Sequence, residues 1–359
     1  MSRALAGSVH GGNVYDFPGR ELLDFSSNIN PAGPPDFAMD AAASALRQVN
    51  RYPDSRQSAV REAFSQWLGA PSEGLVFGNG ASELIRAVIA ALKPGRIITT
   101  LPTFSEYGSC AASFGIPARG VPSDAARDFA FDVGGIRKIF SRGDLLVICQ
   151  PNNPTGVAWR EDELRELAAL CSATGGHMLA DECFIKLAHP PPPSCLDMTA
   201  GGHVIVLRAL TKDFAAPGLR VGFIAAAEGV ARAVRGQMQP WPLNCVAEAF
   251  AIACAKNPEP YLRDSATEIA VLREALSSGL EALGFSPNPS SANFLLVRSG
   301  ARSAGELCAL MLERSVLIRN CANFAQLDDS WFRVAVRSAR NNAALLSGLA
   351  DIENMWLKC

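Results

Sequence analysis

The stretch Leu207-Arg208-Ala209-Leu210-Thr211-Lys212-Asp213-Phe214-Ala215-Ala216-Pro217-Gly218-Leu219-Arg220-Val221-Gly222-Phe223 sets one lysine between two apolar runs. The run Val204 to Leu207 reads as a buried strand leading into it, and Val221 to Ala226 as a second strand leading away. Lys212 therefore stands at the mouth of a strand. A lysine amine forms imines with carbonyl compounds once a desolvated site lowers its pKa. Arg220 is close enough in sequence to add a fixed cation, and arginine binds phosphate in a planar fork. Two solvated surface charges are the other reading of the same pair. The surrounding sequence decides between them.

From Leu75 to Ala226 short apolar runs alternate with helical text. Leu75 to Phe77, Arg96 to Thr100, Leu145 to Cys149, His177 to Ala180, Val204 to Leu207 and Val221 to Ala226 read as strands. Ala81 to Leu92, Phe104 to Phe114 and Glu161 to Ser172 read as the helices between them. This alternation predicts an α/β fold, a largely parallel sheet covered on both faces. Asp36 to Asn50 and Arg56 to Leu68 are helical, separated by Arg51-Tyr52-Pro53-Asp54. After Trp241-Pro242 the pattern changes. Helical text runs from Asn244 to Ala255 and from Pro260 to Leu283, then strands near Phe294 to Arg298, Val316 to Arg319 and Phe332 to Val336, and a closing helix from Asn341. The expected domains are a polar arm over residues 1–35, packing on the small domain and the active site, a large domain over 36–244 and a smaller α+β domain over 245–359.

A chain of 359 residues, 48% hydrophobic, can bury a large core. Lys and Arg number 33 against 35 Asp and Glu, a net charge of -2, so no basic field points to nucleic acid or an anionic membrane. No apolar run approaches the ~20 residues needed to span a bilayer, and Met1 to Asn13 lacks the apolar core of a signal peptide. The expectation is a cytoplasmic protein. The 10 cysteines are scattered with no C-x-x-C pair, which reads as small buried hydrophobes in a reducing compartment and predicts no metal site.

Four polar clusters fall at strand ends, where open parallel sheets bind ligands. Gly78-Asn79-Gly80-Ala81-Ser82-Glu83 brings glycines and a helix N-terminus together, a ready phosphate site or an ordinary capped turn. Pro102-Thr103-Phe104-Ser105-Glu106-Tyr107 offers an aromatic that can lie on a planar ring. Gln150-Pro151-Asn152-Asn153-Pro154-Thr155-Gly156 fixes an asparagine in a stiff loop. Asp181-Glu182 puts carboxylates at the end of a buried strand, where each needs a partner.

Asn153-Pro154-Thr155-Gly156, Asp181-Glu182, Thr211-Lys212 and Arg220, in this order over about half the chain, resemble the aspartate aminotransferase-like superfamily of pyridoxal phosphate enzymes, fold type I. The resemblance implies that Lys212 carries pyridoxal 5'-phosphate covalently, that Asp181 pairs with its ring nitrogen, that Asn153 bonds the ring oxygen and that Phe104 stacks on the ring. It places the cofactor phosphate on the turn at Gly80, the Ala81 and Ser82 amides, the Ser82 and Thr211 hydroxyls and Arg220. Tyr52 reaches that phosphate from the partner subunit of a homodimer with shared active sites. Phe184 stands where many relatives have a tyrosine, Ala209 where a hydroxyl is common, and Lys186 where an acidic residue is often found.

Two branches are similar, the histidinol-phosphate aminotransferases and the threonine-phosphate decarboxylases of cobalamin synthesis. The second resembles more of the chain, through His10-Gly11-Gly12-Asn13, Phe25-Ser26-Ser27-Asn28-Ile29-Asn30-Pro31, Arg51-Tyr52-Pro53, Phe104-Ser105-Glu106-Tyr107, Pro217-Gly218-Leu219-Arg220, Leu317-Ile318-Arg319 and Arg333-Val334-Ala335-Val336-Arg337. It implies a small phosphorylated amino-acid substrate held by His10, Asn30, Arg319, Arg333 and Arg337. Even spacing would turn Arg333 and Arg337 to one side of a strand. The implied reaction is decarboxylation of L-threonine O-3-phosphate to (R)-1-aminopropan-2-ol O-2-phosphate. Transamination of the histidinol-phosphate type, or decarboxylation of a related phosphorylated or phosphonate amino acid, are the alternatives.

Overall fold

A computed structural model describes residues 10–300 and 302–356. The start of the expected arm, residues 1–9, and Cys359 lie outside the described residues. Among the described residues the first strand is the two-residue β1 (Leu23–Asp24), followed by β2 (Leu75–Gly78), β3 (Ile97–Leu101), β4 (Ala118–Pro122), β5 (Leu145–Cys149), β6 (His177–Asp181), β7 (Val204–Ala209) and β8 (Gly222–Ala225). Strands β2 to β8 form one seven-stranded sheet in the order β2-β8-β7-β6-β5-β3-β4. Only β8 runs against its neighbours; the other adjacent pairs are parallel. The expected mostly parallel α/β sheet is present.

Successive residues of a strand face opposite sides. Val204 and Val206 of β7 accordingly enter one apolar core, and Ile205 and Leu207 the other. Every residue of β7 is buried, because helices cover both faces. The helix Ala81–Leu92 buries Leu84, Ile85, Val88 and Ile89, which share one face at helical spacing. On the opposite side Leu164, Leu167 and Cys171 of the helix Glu161–Thr174 do the same. Three acids in that helix's first turn, Glu161, Asp162 and Glu163, complement its dipole, and Gly175 ends it in the left-handed region.

A second sheet holds β9 (Ser286–Pro287), β10 (Phe294–Arg298), β12 (Arg319–Asn320) and β13 (Trp331–Ala335) in the antiparallel order β12-β13-β10-β9. Between them in sequence, β11 (Val316–Leu317) pairs instead with β1, in parallel. The single strand expected over Val316 to Arg319 is thus two strands with different partners. Ile318 between them is buried in the core formed with Phe332, Val334, Leu345 and Leu349, and the chain changes partner at that point.

The arm is hydrogen-bonded to β11 and to β13 rather than solvated. Leu23 N–H donates to Ser315 O at 2.9 Å, Phe25 N–H to Leu317 O at 2.8 Å, and Ala335 N–H to Phe25 O at 2.8 Å. The Phe25 ring is fully buried in the same core.

Candidate active site

A cavity of about 360 Å³ opens where β2, β3, β5, β6 and β7 end. Its walls come from the loops after those strands, from the arm at His10 and Ser26 to Asn28, and from Arg319, Phe324 and Arg333 of the second sheet.

Lys212 lies on a single helical turn, Leu210–Asp213, directly after β7, and lines the cavity. Burial, and then the positive charges of Arg333 and Arg220, push its amine down to about 8. Roughly a tenth is therefore the uncharged nucleophile near neutral pH, far more than an ordinary lysine supplies. Asn30, expected at the substrate, does not line the cavity. Its Nδ2 donates to the Asp213 carbonyl at 3.0 Å and to Ser265 Oγ at 3.0 Å, so it secures the turn that carries the lysine.

Strand alternation separates the two carboxylates at the end of β6. Asp181 faces the cavity side, where Tyr107 donates to its Oδ2 at 2.7 Å and Cys183 N–H to its Oδ1 at 3.1 Å. Burial pushes the Asp181 carboxyl above its ordinary range, and these donors pull it back. Glu182 faces the other way and is fully buried against Arg208, 2.8 Å from its guanidinium, with Ser194 and the Cys195 N–H also donating to it.

Asn153 is buried and accepts at Oδ1 from Arg333, which leaves its Nδ2 as a donor. Arg333 also donates to Ser26 O at 2.7 Å, and its Nε has no partner among the described residues. Burial pushes Arg333 down to about 10, still a cation at neutral pH. Arg319, buried as well, donates to Asn323 at 2.8 Å. His10 Nε2 lies 3.0 Å from Glu106, and its ring is 5.8 Å from that of Phe104, which lines the cavity.

Ala81, Ser82, Thr211 and Arg220 gather at one end of the cavity. A Cβ on Gly80 (φ +81°) would lie 2.5 Å from an Arg220 nitrogen, so only glycine lets the arginine close over the helix start. That helix, Ala81–Leu92, presents unpaired first-turn amides. This cradle suits the phosphate of pyridoxal phosphate; the carboxylate, amide and amine of Asp181, Asn153 and Lys212 suit its ring nitrogen, ring oxygen and aldehyde.

Besides Asn30 and Gly80, two further expected residues do not line this chain's own cavity. Tyr52 is 80% exposed and stacks on Trp241, ring centres 4.4 Å apart, outside the cavity of its own chain. Arg337 donates from Nε to the Asp24 carbonyl at 2.9 Å and clamps the arm. Strand β13 ends at Ala335, so the even spacing that would turn Arg337 beside Arg333 no longer applies. Sequence reasoning assigned no role to Tyr107, Cys149 or Cys183, which pack around Asp181. The signal available was the Tyr107 position one residue into a helix that starts at a strand end.

Fold and site define a pyridoxal phosphate-dependent enzyme of the aspartate aminotransferase-like kind. The chain belongs to the family "Aminotransferase class I and II", whose model matches residues 20–349. It is 34% identical over 363 aligned residues to the threonine-phosphate decarboxylase of Salmonella typhimurium, covering 97% of this chain and 98% of that protein. It is 28% identical over 356 residues to an adenosylcobalamin biosynthesis bifunctional protein of Leptospira interrogans, covering 96% of this chain and 41% of the other. The solved histidinol-phosphate aminotransferase of Clostridium acetobutylicum superposes with a TM-score of 0.87 at 30% identity, over 93% of this chain and 100% of that one. Among the described residues no helix is long and apolar enough to cross a membrane, and no group of His, Cys, Asp and Glu is placed to hold a metal.

Proposed function

We propose that this enzyme decarboxylates L-threonine O-3-phosphate to (R)-1-aminopropan-2-ol O-2-phosphate, in cobalamin biosynthesis. The observation that carries the reading is the pair of buried arginines, Arg319 and Arg333, that line the cavity together with His10 and Lys212. A substrate with a carboxylate and a phosphate needs separate cations for its two anions. Similarity to the Salmonella decarboxylase over nearly the whole chain supports the same reading.

Lys212 would hold the cofactor covalently and, once displaced by the substrate amine, its ammonium, poised at about 8, would deliver the proton that replaces the departing CO2 at the substrate Cα. When bound, pyridoxal phosphate supplies an electron sink for the charge that develops at Cα. Asp181 holds the ring nitrogen, Asn153 donates to the ring oxygen, and Phe104 covers the ring. Gly80, Ala81, Ser82, Thr211 and Arg220 hold the cofactor phosphate. Arg333 takes the substrate carboxylate, and Arg319 with His10 takes its phosphate. Asn30 and Arg337 act from behind, on the lysine turn and on the arm. Tyr52 joins the site of a second copy in a homodimer, in keeping with its exposure.

The test is to incubate the protein and cofactor with L-threonine O-3-phosphate and follow CO2 and aminopropanol phosphate together. Equal amounts of the two are expected. A keto product without CO2 overturns the reading in favour of an aminotransferase, the activity named for the Clostridium relative.

A further inference from the structure

Tyr107 is fully buried near the start of the helix Glu106–Ser113, and its hydroxyl reaches Asp181 Oδ2 at 2.7 Å across 74 residues of sequence. Together with the Cys183 N–H at 3.1 Å on Oδ1, it fixes both oxygens of one carboxylate from two separate elements. For bulk alone phenylalanine would serve, and would spare the chain a buried hydroxyl in need of a partner.

We propose that Tyr107 is a positioning residue for Asp181, fixing the plane of the carboxylate and favouring the ionised form in which it meets a protonated ring nitrogen of the cofactor. This rests on the cofactor placement given above. The electrostatics agree with the geometry. Burial pushes Asp181 toward its neutral form, and hydrogen bonds from Cys183 and Tyr107 oppose that. Burial, and then the Asp181 charge, push the phenol well above its ordinary range, so Tyr107 stays a donor. The other titratable neighbours of Asp181 supply no cation. The Cys149 and Cys183 thiols are pushed up by burial and stay neutral, and Glu182 is paired with Arg208 on the opposite face. Among the chain's own groups around Asp181, hydrogen bonds rather than a cation are what favour its ionised form.

The substitution Tyr107→Phe removes one oxygen and keeps the ring. In the protein loaded with pyridoxal phosphate and without substrate, the acid-side midpoint of the cofactor's visible absorbance should rise by about one to two pH units, what a hydrogen bond to a charged group is worth. The same substitution should move the midpoint little in an Asp181→Asn background. An unmoved midpoint in Tyr107→Phe overturns the proposal, as does an equal shift with Asp181→Asn. A lowered melting temperature of the cofactor-free Tyr107→Phe protein with the midpoint in place assigns the tyrosine to packing alone. If borohydride fails to fix the cofactor on Lys212 of the unaltered protein, the cofactor placement fails instead.

Discussion

Asp213, next to the reactive lysine, is a buried acid whose Oδ1 has no partner among the described residues. Burial pushes its carboxyl from the ordinary 3.8 up to about 7, while Arg208 and Lys186 pull it back. Between those two values the folded chain keeps a proton that the unfolded chain has lost. Stability therefore falls as pH rises through this interval and levels off above about 7. The melting-temperature advantage of Asp213→Asn over the unaltered chain should accordingly widen from about pH 5 to about pH 8; an advantage that stays constant refutes the account. Lys186, which stands where relatives often carry an acid, is a neighbour of Asp213. It lies near Asp213 and Arg208, and burial, then Arg208, lower its pKa. Lys212, Asp181 and Asn153 were legible because each closes a strand or sits in a loop stiffened by proline and glycine. Tyr107 was not, since an aromatic at helical spacing is most simply a core residue, and only the fold reveals which acceptor its hydroxyl finds.

At the scale of elements, the strands of the large sheet were readable because β5, β6 and β7 are buried on both faces and so are apolar throughout, apart from a few polar residues at their ends. Strand β4, Ala118 to Pro122, escaped notice. It sits at the sheet edge, largely exposed, and its residues Arg119, Gly120 and Pro122 carry no strand signal; pairing with β3 alone creates it. Strand β1, two residues long, is likewise defined by its partner, and so is the division of the expected Val316 to Arg319 strand into β11 and β12. The β1–β11 pair gives a test. Leu23→Pro removes the N–H that donates to Ser315 and should loosen the arm. The Michaelis constant for the phosphorylated substrate should rise several-fold while the protein keeps its full complement of cofactor. Loss of cofactor with no change in that constant would show that the arm serves the cradle instead.

At the scale of the whole molecule, the proposed homodimer makes each site a joint product of two chains. Neither Lys212→Ala nor Tyr52→Ala chains should form a fully competent site alone. Hybrids of the two carry one site with both defects and one with neither, so mixing unfolded chains and refolding them together should recover activity. Recovery no greater than the sum of the separate variants would place Tyr52 outside the partner's site. Within one chain, the cavity is divided by wall. The proposed cofactor cradle lies on loops of the seven-stranded sheet, whereas the proposed substrate cations lie on the second sheet and on the arm that β1, Phe25 and Arg337 tie to it. Under the proposed roles, recognition is a nearly separate cassette joined to the bond-cleaving machinery by the Arg333–Asn153 hydrogen bond, and a graft of new amino-acid specificity has to keep that joint.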